Sequence, residues 1–210
     1  MSTFLPGPAV RRDTGERVAV PVLGLTAYLA APEAWAHTGF VALFDTLRAM
    51  LPAESLRYYA TSAMTRWAAA SPEGLDAVRD ALRQRHAFQP VVQHGLSLQV
   101  ADDTGAPTVG LRYTEVDPAR ATRAAVLEVT LPHDAHPARL RDMVDAVAAA
   151  GELYALTAGY ALRWNPRHRR DAFNLFHRWA QRFVGLDAGD PEALAWRAPT
   201  RLPSVNWLTL

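Results

Sequence analysis

The sequence predicts an α+β fold, a mixed and largely antiparallel sheet with helices packed on it. Short apolar runs rich in Val, Leu, Ala and Tyr alternate with segments whose apolar residues recur every three or four positions. The turn DDTGAP separates two strand-like runs, as a hairpin connection should. Strand, helix and strand over 18–61 and again over 125–164 share their order and approximate lengths, which suggests two similar halves around one sheet.

Residues 1–16 mix prolines, glycine and charges without a period and read as a flexible or loosely docked N-terminal arm. RVAVPVLGLTAYLA, from Arg17, follows as a strand whose Pro21 argues for an edge position or a bulge. From Gly39, the spacing of Phe40, Leu43, Phe44, Leu47 and Leu51 predicts a helix ended before Pro52. LRYYAT, from Leu56, is the next strand candidate, and 62–70 fit neither pattern. Ser71, Pro72 and Glu73 supply a hydroxyl cap, a first-turn proline and an acid at the positive end of a helix dipole. Leu75, Val78 and Leu82 continue that helix to about Arg85. GLSLQVADD and VGLRYTEV form the predicted hairpin, and AVLEVTL, from Ala125, is a further strand. A helix spans Asp134 to Ala150 with Leu140, Met143, Val144 and Val147 on one face, stopped by Gly151. LYALTAGYALRW is a strand, and a last helix runs from about Arg169 to Val184 with Phe173, Phe176, Ala180 and Phe183 in one stripe.

The chain has 210 residues, half of them hydrophobic, enough for a sizeable core. No Pro/Gly/Ser-rich linker divides it, so 17–210 is expected to be one domain. Cysteine is absent, which removes thiol chemistry and disulfide staples and says nothing of compartment. Pro6, Gly7 and Pro8 break the apolar stretch a signal peptide needs, and no later run approaches the roughly 20 apolar residues of a membrane span. The expected location is the cytoplasm. Twenty-two basic side chains, all arginine, against 21 acids give a formal charge of +1 and no field that favours nucleic acid. No cofactor and no membrane or direct nucleic-acid contact is expected, and a homodimer is left open.

Each candidate site has a plainer reading beside it. His133 and His136 flank Asp134 in LPHDAHP and could ligate zinc for a metal-dependent hydrolase. The same residues read more simply as a helix entry with Asp134 or His136 as cap. No G-x-S-x-G elbow, P-loop or G-x-G-x-x-G occurs, so no catalytic residue is assigned. RWNPRHRR, from Arg163 to Arg170, could grip phosphates with Trp164 stacking on a base, or could be a solvated loop leading into the last helix. Asp102 and Asp103 at the hairpin tip, with Glu115 and Asp117 at the far end of its second strand, could hold a metal, act as a general acid/base pair, cap a turn or imitate phosphates for a partner with a basic cleft.

The C-terminal stretches RFVGLDAGD, 182–190, and SVNWLT, 204–209, are the least generic. They resemble the bacterial type VI secretion immunity proteins, which carry a helix running into an R-F/Y-P-G-L-D turn and then a G-V-N-W-L-T strand. Val184 stands where the family has proline and Ser204 where it has glycine. TAGYALRW is similar to the family's middle, so the resemblance covers roughly 90–210. Gly185, Leu186, Asp187, Asn206 and Trp207 are its structural signature, and none is catalytic. Family members usually continue past the N-W-L-T strand, so an exposed sheet edge or groove is expected there. The resemblance implies a cytoplasmic protein that binds and neutralises a cognate effector toxin, paired in some relatives with a restriction-endonuclease-like nuclease. On that reading Asp102, Asp103, Glu115 and Asp117 are the partner-binding candidates, and the turn pair is expected to be exposed and unpaired. Reversing both turn charges should then weaken binding and spare the fold.

SVNWLTL is too apolar to lie exposed, so Trp207 is expected to be buried. Trp207→Ala should lower stability by about 3 to 5 kcal/mol, measured by urea unfolding.

Overall fold

Residues 7, 9–11, 13–29, 39–62, 64–83, 97–114, 125–180 and 191 are described by the computed structural model. The C-terminal signature, Glu115 and Asp117 lie outside them.

Among the described residues, eight strands and four helices follow one another as β1 (Ala9–Val10), β2 (Arg17–Leu29), α1 (Gly39–Met50), β3 (Tyr58–Thr61), β4 (Ala68–Ala69), α2 (Pro72–Arg83), β5 (Ser97–Ala101), β6 (Gly110–Thr114), β7 (Ala125–Pro132), α3 (Pro137–Ala150), β8 (Leu153–Trp164) and α4 (Arg169–Ala180). The predicted elements are present, with the two-residue β4 inside the stretch that fitted no pattern. The side chains of Phe40 and Leu82, and the helical continuation through Phe183, lie outside the described residues.

The strands form one sheet in the order β1-β2-β7-β6-β5-β3-β4, with β8 on the other side of β2. Every pairing is antiparallel. Ala19 is paired on both sides, to Ala9 of β1 and Trp164 of β8, so β1 takes the edge of β2 that β7 occupies from Val22 onward. This also docks the described part of the N-terminal arm onto the sheet.

The expectation that Pro21 marks an edge strand is corrected, because β2 is paired along both edges. Proline is accommodated because Val20 and Pro21 lie between the last β1 pair, at Ala19, and the first β7 pair, at Val22. One edge is therefore open where the ladder changes partner.

The two strand-helix-strand units appear as β2-α1-β3 and β7-α3-β8. In each the flanking strands run parallel: β7 and β8 are both antiparallel to the β2 that lies between them. The helices pack against each other over the same sheet face.

Opposite residues in antiparallel strands share a face. Leu23, Leu25, Ala27 and Leu29 of β2 therefore align with Leu131, Val129, Leu127 and Ala125 of β7, and with Leu111 and Tyr113 of β6 beyond. Onto this face α1 contributes Leu43, Phe44 and Leu47, α2 contributes Val78, and α3 contributes Leu140, Met143 and Val147. Ser71 caps α2 by accepting from the Gly74 N–H at 3.1 Å. A smaller cluster joins Ala172 and Phe176 of α4 to Val18, Ala19 and Leu162. No helix is long and apolar enough to cross a membrane among the described residues.

Phe44 is 1% exposed at the centre of the helix layer. Phe44→Ala should lower the unfolding free energy by about 3 to 5 kcal/mol in urea titration, the usual result of emptying a buried aromatic site.

Candidate functional site

The other face of the sheet carries charge. Residues 20, 22, 24, 26 and 28 of β2 point to it, and Glu128 of β7 lies there opposite Thr26 and Arg112. Glu128 is 6% exposed. A carboxylate so far from water needs partners, and it has two guanidiniums. Arg163 of β8 meets it at 2.9 Å and Arg112 of β6 at 3.3 Å. Arg163 also lies 3.5 Å from the Thr26 hydroxyl.

Arg163 must cross β2 to reach Glu128, and it does so over Gly24, which is paired with Gly159. A Cβ at Gly24 would stand 2.9 Å from the Ala161 Cβ and 3.5 Å from the Arg163 guanidinium. The glycine is needed for this close approach.

Sequence reasoning missed this network. Its signal was a single charge inside each of three mostly apolar runs: Arg112 in VGLRYT, Glu128 in AVLEVTL and Arg163 in LYALTAGYALRW.

The hairpin tip contradicts the expectation that Asp102 and Asp103 are exposed and unpaired. Asp102 is 7% exposed. Its carboxylate accepts from the Thr108 N–H at 2.8 Å and the Val109 N–H at 3.1 Å, and also from the Thr108 hydroxyl. Arg17 stands 3.5 Å away, and Arg57 donates twice to the Asp102 carbonyl, at 3.1 and 2.9 Å. Asp103 is half-buried and accepts from Gly105 and Ala106, an Asx turn. The reason is the loop itself, which folds back so that Ala106 packs on Val20, Val22 and Ala161. That fold turns the acids inward.

The basic segment is divided in the same way. Arg163 is 11% exposed and bound to Glu128. Trp164 packs on Phe173 and Phe176, with ring centroids 5.8 and 6.3 Å away. Asn165 is buried, donates its N–H to Val18 and accepts from Arg167 N–H, starting the 3-10 turn Pro166–His168. A Cβ at Gly105 would collide with the Asn165 amide, so the hairpin loop and this segment meet there. His168 links Arg11, at 2.8 Å from Nδ1, to Glu16, at 2.8 Å from Nε2. Arginine only donates, so Nδ1 accepts and Nε2 donates to the carboxylate. The hydrogen bond from His168 holds the Glu16 carboxyl below its usual range, and the charges of Arg167 and Arg11 act in the same direction. Of the segment's charged side chains, Arg167, Arg169 and Arg170 remain exposed.

His133 and His136 are both exposed. His136 is the α3 cap, its Nδ1 accepting from the Ala138 N–H at 3.2 Å. Among the described residues no three His, Asp or Glu side chains gather where a metal ion could be held.

Asp102→Ala should lower stability by about 3 kcal/mol, because it strands buried N–H groups beside Arg17. Asp103→Ala should cost about 1 kcal/mol, the worth of a turn cap. Thermal and urea unfolding of the two variants would show the difference. Asp102→Lys with Asp103→Lys should unfold the hairpin end rather than spare the fold.

No curated protein sequence matches the chain. Among solved structures, a Pseudomonas aeruginosa T6SS protein superposes with a TM-score of 0.67 at 18% identity, over 91% of this chain and 55% of that one. The likeness is one of fold, and the chain spans about half the length of that protein. The sequence profile of a family described as TsiV, type VI immunity for VRR-NUC, matches residues 40–210. The match begins well before the roughly 90–210 of the resemblance read from the motifs, and it takes in both hairpin strands and all four helices almost whole. The chain belongs to the TsiV family of type VI immunity proteins.

Proposed function

We propose that this chain binds a type VI secreted toxin carrying a VRR-NUC nuclease domain and neutralises it by occluding its active site. The observation that carries the reading is the family match over 40–210. The chain acts by binding rather than by catalysis. The place of action is the cytoplasm, where a nuclease reaches nucleic acid and where its antidote has to be.

Occlusion needs a firm surface of ordinary interface size, roughly 1,600 Å² in total. The sheet supplies firmness, since its buried charges are tied down in the monomer. The hairpin loop and the basic segment meet at Asn165, so Asp103 and the exposed arginines that follow Asn165 would share one contact surface. Glu115 and Asp117, in the stretch after β6, are the other acids proposed to face a phosphate-binding cleft.

The test is to find the VRR-NUC reading frame beside the gene, then purify its nuclease domain and mix it with this chain. A stable one-to-one complex and loss of DNA cleavage at equimolar ratio are expected. Undiminished cleavage in the presence of excess chain would remove the reading.

A further inference from the structure

We infer that the outer face of α4, centred on Phe173 and Arg170, docks on an acidic region of the toxin; the inference rests on the binding role proposed above.

Arg169, Phe173 and His177 stand at i, i+4 and i+8 and share one side of α4, with Arg170 beside them. All four are exposed, whereas Ala172 and Phe176 are buried. Phe173 is 43% exposed, one of the few large apolar side chains so open to water among the described residues. It is nevertheless held in place. Its ring lies 5.8 Å from Trp164 and 5.7 Å from Phe176, and the Arg169 guanidinium sits 5.5 Å over it. Trp164 and Phe176 already pack on each other, so the outer half of Phe173 adds little to the core. A fixed aromatic ringed by arginines has the composition of an interface hot spot and loses little entropy on binding.

Charge names the occupant. Arg167 is 81% exposed, and with Arg169 and Arg170 it sets three cations at the helix N-terminus, where the dipole adds to their field. Among the described residues two acids stand near. Glu16 lies 3.8 Å from Arg167 but is hydrogen-bonded to His168, and Asp171 is turned about 100° round the helix from Arg170, toward the side of Arg178. The surface therefore suits carboxylates.

Nucleic acid would need a longer track of cations. Arg163 is instead spent on Glu128, and Trp164 is half-buried against Phe173 and Phe176. A protein surface fits better.

Arg170→Glu and Phe173→Ala, each in the full chain, test the inference against the purified nuclease domain by surface plasmon resonance. Arg170→Glu puts an acid in the first helical turn, which favours the helix, so unfolding temperature should hold. Each variant should weaken the complex at least about tenfold, with Arg170→Glu acting mainly on association and flattening its salt dependence. If the parent binds and both variants bind within about twofold of it, this surface is wrong and the immunity reading stands. A parent that fails to bind removes both. Binding of a short single-stranded oligonucleotide by the parent, abolished in Arg170→Glu, would overturn the assignment to a protein partner.

Discussion

Strand β2 is hydrogen-bonded along both edges, to β8 from Ala19 to Leu29 and to β1 and then β7 on the other side, and the rest of the molecule is arranged by that double pairing. It places the two ends of the β7-α3-β8 unit on either side of one strand, so α3 must cross β2. It aligns the apolar residues of three strands under the helices. It also lets residues from β6, β7 and β8 meet across the opposite face, which no hairpin alone would do.

That opposite face shows how burial spends charge. Glu128 and Asp102 are deep enough that an unpaired carboxylate would be costly, and each is surrounded by arginines or N–H donors. The consequence reaches function. Arg17, Arg57 and Arg112 are engaged with the framework through part of their side chains, while Asp102 is buried in it and Arg163 nearly so, and these two are not surface for a partner. What remains to meet one is the set of charges the fold does not use, and the corner where the hairpin loop touches Asn165 holds several of them.

The binding role proposed for the chain is served by this division. Pairs buried under the sheet's second face hold loop and helix in register, while Phe173 and its neighbouring arginines stand on a helix braced by aromatic contacts. Rigid presentation lowers the entropy lost on association. The family match suggested the class of partner proposed, and the likeness to the Pseudomonas protein says that the fold persists at 18% identity, as expected when pairing and face alternation rather than particular side chains define it.

Element order was legible in the residues because periodicity is local. The stripe of Leu43, Phe44 and Leu47, the cap at Ser71 and the alternation in GLSLQV each depend on neighbours a few positions away. The family was legible too, from the R-F-V-G-L-D and V-N-W-L-T stretches, which are specific enough to name it. Pairing was not legible: Pro21 looks like an edge residue until β1 and β7 are seen to divide one side of β2 between them. The same limit applied to the acids. Asp102 and Asp103 form a turn by their own chemistry, but whether a turn faces water depends on what lies beneath it. Here Val20, Val22 and Ala161 draw Ala106 down and turn the carboxylates inward. Sequence by itself determined the elements, their order and the family; tertiary structure alone decided which charges are buried, because burial is set by contacts between residues far apart along the chain, such as Ala106 with Val20 and Val22.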